Sequence, residues 1–95
     1  MAREFTAQMS VYKGRWRLYV VLLNTTELWP EFSFDRADPV PTLKERADAL
    51  SVLGFERVPG AEWRWTEDSQ EHGYPSSPVV LIAAVQVRSW MGASA

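Results

Sequence analysis

Cysteine is absent from the 95 residues, so a disulfide framework, a thiolate zinc site and a cysteine nucleophile are all excluded. That composition suits a reducing compartment. There is one histidine, His72. It sits in "DSQEHGYP" beside dispersed carboxylates, and a metal site needs three or four convergent ligands. We read it as a solvated loop histidine, and we expect no metal, no cofactor and no catalytic centre. No Ser-His-Asp ordering and no phosphate-cradling glycine loop is present. The longest apolar run, "VVLIAAV" at 79–85, is too short to span a bilayer. The N-terminal "MAREFTAQMS" has no apolar core of the kind a signal peptide carries. These readings lead to the expectation of a cytoplasmic protein with no membrane contact.

A basic excess is also lacking: residues 1–50 balance at seven basic and seven acidic side chains, which leaves room for no more than a local basic patch. The net charge is −2, and residues 51–95 carry three basic against five acidic side chains. Gripping phosphates by counterion release calls for a basic excess. A nucleic-acid partner is therefore the weaker expectation.

Apolar and aromatic side chains are plentiful: 46% of residues, with five Trp, four Phe and three Tyr. That is core material for one small domain, which we place at 1–88, with 89–95 as a C-terminal tail. The segments "REFTAQMSVY" and "RWRLYVVLL" flank Lys13-Gly14. A two-residue turn there sets Val11 against Trp16, Met9 against Leu18, Ala7 against Val20 and Phe5 against Leu22. All eight then share one face, and a one-residue slip breaks the match. The other face is mostly polar, as in an antiparallel sheet covered on one side.

"EFSFD" reads as a short third strand with Phe32 and Phe34 inward, and the nearby Pro30 places it at an edge. "TLKERADALSVLGF" predicts a helix. Thr42 and Glu45 form a capping box, Gly54 ends it, and Leu43, Ala47, Leu50 and Leu53 give an apolar stripe. "AEWRWTE" and "VVLIAAVQVR" predict two further strands, the last one central. The long polar segment "DSQEHGYPSSP" reads as the loop between them. The expected fold is α+β: a two-layer sandwich with a four- to five-stranded antiparallel sheet, ordered β-β-β-α-β-β, and one helix packed on one face.

Three constellations bear on function. Trp63 and Trp65 point the same way on a strand. Stacked aromatics can hold bases, but a domain this small needs them in its core, and the core reading is preferred. On the open face of the first hairpin, Tyr12, Arg15, Arg17 and Tyr19 cluster. These residue types are enriched at binding hot spots and also stack on bases. Val21 and Leu23 continue that face. It could be an ordinary sheet surface, be partly covered by the tail through Trp90 and Met91, or be an interface. The acidic segment with Glu67, Asp68 and Glu71 is a second candidate contact, as a long loop.

The phrases "GRWRLYVVLL", "PVPTLKERADALSVLGFE", "VPGAEWRWTED" and "SSPVVLIAAVQVR" resemble a group of small uncharacterised proteins from Streptomyces and related actinobacteria. The resemblance covers nearly the whole chain. It implies an actinobacterial cytoplasmic protein, with a mobile or phage-derived element as one source, and it brings no activity or cofactor. "VVLLNTTELWP" resembles one phrase of the small MbtH-like partners of adenylation domains. The proline-glycine-tryptophan segment that should follow is missing, so nothing is carried over.

The functional expectation is a small non-catalytic protein-binding module, accessory or regulatory. Its partner-binding residues are Tyr12, Arg15, Arg17, Tyr19, Glu67, Asp68 and Glu71, and the partner is an unidentified protein. A homodimer through the same face would explain Val21 and Leu23 equally well. The alternative is an RNA or single-stranded nucleic-acid binder using the open sheet face.

Overall fold

The structure is a computed structural model, described for residues 3–23, 25–69 and 73–90. Among the described residues, six strands and one helix follow the order β1 (Glu4–Tyr12), β2 (Arg15–Val21), β3 (Glu31–Ser33), α1 (Leu43–Leu53), β4 (Phe55–Arg57), β5 (Arg64–Ser69) and β6 (Val79–Ser89). Every pairing is antiparallel. The sheet order is β3-β2-β1-β6-β4, and β5 pairs with β6 beyond the end of β4. The α+β class with one antiparallel sheet and one helix is as expected. The fourth strand in sequence, Phe55–Arg57, replaces what we read as a lead-out from the helix.

The hairpin register matches the sequence pattern. Val11 opposes Trp16, Met9 opposes Leu18 and Ala7 opposes Val20. Lys13 and Gly14 both adopt positive φ, 52° and 76°, the turn geometry whose twist suits a two-residue hairpin. β6 runs down the other side of β1, where Ala7 meets Val85 and Phe5 meets Val87. The buried core is therefore one face of three adjacent long strands: Ala7, Met9, Trp16, Leu18, Val20, Ala83, Val85 and Val87. Phe34, Ala49 and Leu50 close it.

The sheet curls around this face. β2 and β5 are separated by β1 and β6, roughly 14 Å in a flat sheet. Yet the rings of Trp16 and Trp65 meet edge-to-face with centroids 5.8 Å apart. α1 packs against β4 at one border of the sheet and against β3 and β2 at the other, which a flat sheet would not permit. The helix closes one end of the curl.

The helix forms for the local reasons expected. The Thr42 hydroxyl accepts from the Glu45 amide, the Glu45 carboxylate accepts from the Thr42 amide, and Gly54 ends the helix at φ 91°. Lys44 and Asp48 pair at 2.9 Å. The buried face differs from the expected stripe. Leu50 and Leu53 pack inward, but Leu43 and Ala47 lie outside. Arg46 takes the inward position instead and is only 7% exposed. It can do so because it has partners for both parts of its guanidinium. Its Nε donates to the Pro41 carbonyl at 2.9 Å, and its guanidinium carbon lies 5.1 Å from the Trp63 ring centroid and 5.6 Å from that of Trp65. Burial pushes its pKa down from the ordinary arginine value. Trp63 packs against the core, while Trp65 is 43% exposed. The pair thus serves mainly as a lid over a buried cation.

Candidate binding surface

The face of the first hairpin away from the core carries Tyr12, Arg15, Arg17 and Tyr19 together. Tyr12 opposes Arg15, Ser10 opposes Arg17, and Gln8 opposes Tyr19. Alternation on two paired strands puts all of them on one side. The cluster is ordered by its own contacts. The guanidinium carbon of Arg17 lies 5.0 Å from the Tyr12 ring, and its Nη1 donates to Glu31 at 3.2 Å. Lys13 approaches the same ring at 5.4 Å. Arg15 and Asp35 form an exposed pair at 3.6 Å. The Tyr19 hydroxyl donates to the Gln8 side chain at 3.0 Å.

Each arginine therefore faces a carboxylate of the same chain. The face offers planar and apolar groups more than free positive charge.

Trp29 covers part of this face. Its ring stacks on Tyr19 at 6.1 Å and 18°, and its Nε1 donates to the Leu22 carbonyl at 2.9 Å. These two contacts fix the "LWP" segment against β2. Beside Trp29, Leu28 is 94% exposed and Leu23 is 68% exposed. The sequence reading took Leu23 but missed Leu28 and Trp29. The signal was present: two large apolar residues ahead of a proline, in a segment with no strand or helix pattern to bury them.

Glu67 and Asp68 do not join this cluster. The segment we read as loop is strand through Ser69, because Glu67 and Asp68 pair with Leu81 and Val80. The apolar β6 supplies a ladder that the polar residues alone do not suggest. As consecutive strand residues they point to opposite faces, Asp68 with Arg64 and Thr66, Glu67 with Trp65. β5 is separated from β2 by two strands. Glu71 and His72 lie outside the described residues, as does Met91. Trp90 is far from the hairpin face: its Nε1 donates to the Ser51 carbonyl at 3.2 Å, and its amide donates to Gly54. Ser89 pairs with Phe55, so the packed chain continues through Trp90.

A concave feature beside α1 was not expected from the sequence. A groove of about 930 Å³ runs beside α1, lined by Leu43, Ala47, Leu50, Phe55, Trp63 and Trp90, with Lys44, Arg57 and Glu62 at its sides. It explains the misread helix stripe. Leu43 and Ala47 are apolar at helical spacing because they wall this groove, not because they enter the core. Such a surface can hold apolar side chains or rings.

Among the described residues there is no group of three or more His, Asp or Glu side chains able to hold a metal ion. No described helix is long and apolar enough to cross a membrane.

A family model matches residues 3–95. The chain belongs to a family of unknown function, DUF6303. Membership carries no activity with it. No curated protein and no solved structure matches the chain.

Proposed function

We propose that this chain is a small non-catalytic protein-binding module, an accessory or regulatory factor of the actinobacterial cytoplasm. The open hairpin face is its contact surface. The observation that carries this reading is the exposure of Leu28 and Leu23 beside a Trp29 ring clamped to Tyr19. Apolar groups held out to water by specific contacts are what an interface leaves on an isolated chain. Tyr19, Trp29 and Arg17 are of the types that dominate binding energy at such centres. The complementary partner surface is apolar at its middle and acidic toward Lys13.

The test is capture from lysate of an actinobacterial host, with and without nuclease, using wild-type chain and Leu28→Glu. We expect a protein retained after nuclease by the wild type and reduced at least about tenfold by the variant, the usual loss when a charge enters an interface centre. Recovery that disappears with nuclease and falls steeply with salt would move the site to nucleic acid. Equal recovery by both chains would place the contact elsewhere.

A further inference from the structure

β5 pairs with β6 alone, so its outer edge has no ladder partner among the described residues. Five consecutive residues, Arg64 to Asp68, present that edge, with no proline among them. Edges of this kind accept another strand unless something blocks them. The charges on this one are placed in a pattern that selects a particular strand.

Arg64, Thr66 and Asp68 share one face of β5, and Trp65 and Glu67 share the other. Neither Arg64 nor Asp68 has an ion pair among the described residues, although Asp68 accepts from the Ser69 amide at 2.8 Å. Consider a second copy of the same strand laid antiparallel on this edge, related by a two-fold axis through Thr66. Arg64 then opposes Asp68 of the other copy, and the symmetry repeats the pair. Thr66 opposes Thr66, and Trp65 opposes Glu67. Opposite charges and threonine pairs across strands both favour a ladder.

Neighbouring symmetric registers fail on charge. Centring on Glu67 sets Glu67 against itself, and centring on Trp65 brings Asp68 against Glu62. Only the Thr66 register satisfies the strand with its own copy, the self-complementarity a two-fold interface requires.

We propose that β5 is a homodimer edge, joining two sheets into one through antiparallel β5–β5 pairing centred on Thr66. The hairpin face stays free in this dimer, so the proposal stands apart from the partner-binding reading. The side chains concerned are exposed, and their replacement leaves the core untouched.

The experiment is sedimentation or light scattering across a concentration series for wild type, Arg64→Asp, Asp68→Arg and the double swap Arg64→Asp/Asp68→Arg. Circular dichroism shows that each is folded. We expect twice the chain mass for the wild type. Each single reversal creates two like-charge contacts, raising the dimer dissociation constant about tenfold or more. The double swap restores the dimer, because both pairs are re-formed with signs exchanged. A wild type that stays monomeric at high concentration overturns the proposal. So does a dimer indifferent to the single reversals, or a folded double swap that fails to recover. Leu28→Glu leaves this equilibrium unchanged, which separates failure here from failure of the partner-binding reading.

Discussion

At the scale of single residues, Arg46 is the position where packing departs most from hydrophobic patterning. A buried cation is stable only if its hydrogen bonds and its charge are answered. Here a carbonyl and two tryptophan faces answer them, with no carboxylate partner among the described residues. Removal of the side chain leaves the Pro41 carbonyl unpaired and Trp63 and Trp65 resting on a void. We expect Arg46→Ala to lower stability by about 2–4 kcal/mol, summing a charged hydrogen bond and the cation–π contacts. Arg46→Met, which keeps apolar contact with the rings, loses less. Urea unfolding of the two variants checks the order, and a cost for Arg46→Ala below about 0.5 kcal/mol would mean the rings pack without it. Arg46 was invisible in the sequence because a charged residue on a helix ordinarily faces water. The tryptophans that cover it come many residues later, Trp63 just ahead of β5 and Trp65 within it. Leu28 carries a different signal: no periodicity marks it, and only its place in "LWP", with no strand or helix to bury it, points to exposure.

Among the elements, those defined by local chemistry were legible and those defined by a distant partner were not. The first hairpin was readable to the residue, because register, turn and face alternation all agree within twenty residues. The helix bounds were readable from Thr42, Glu45 and Gly54. β4 was not, since three residues become a strand only when β6 arrives beside them. The polar half of β5 was not, for the same reason. At the helix start, Glu45 also receives Arg36 through two hydrogen bonds, 2.9 and 2.6 Å. Those bonds, with the Thr42 amide, hold its carboxyl down at about 2. The unfolded carboxyl titrates near ~4.3. A folded pKa below the unfolded one stabilises the fold above about pH 4.3, and that contribution is lost as pH falls toward 2. We expect Glu45→Gln to melt below the wild type at pH 7, with the gap closing between about pH 4.5 and pH 2.5. Thermal melts at the two pH values measure it, and an equal gap at both would show that the ionised pair contributes nothing.

For the whole molecule, the alternating strands set which residues could form a face, and the curl decided which faces were left open. Folding the sheet onto α1 buries Trp16, Leu18 and Leu50 at one end. The outer hairpin surface, with Tyr19, Trp29 and Leu28, stays toward solvent. The sequence could place Tyr12, Arg15, Arg17 and Tyr19 together because they lie on one hairpin. It could not show that Glu31 and Asp35 neutralise the arginines, since that depends on how β3 returns to β2. In the proposed function, this pairing is one support for a protein partner over a phosphate one. The most direct test is site-specific photo-crosslinking from p-benzoylphenylalanine. The probe would be placed at Leu28 or, as a control, at Val52 on the exposed side of α1, in cells that produce the chain. We expect a discrete protein adduct from position 28 and none from position 52. An adduct from position 52 alone, or a nucleic-acid adduct from position 28, would contradict a protein contact on the hairpin face.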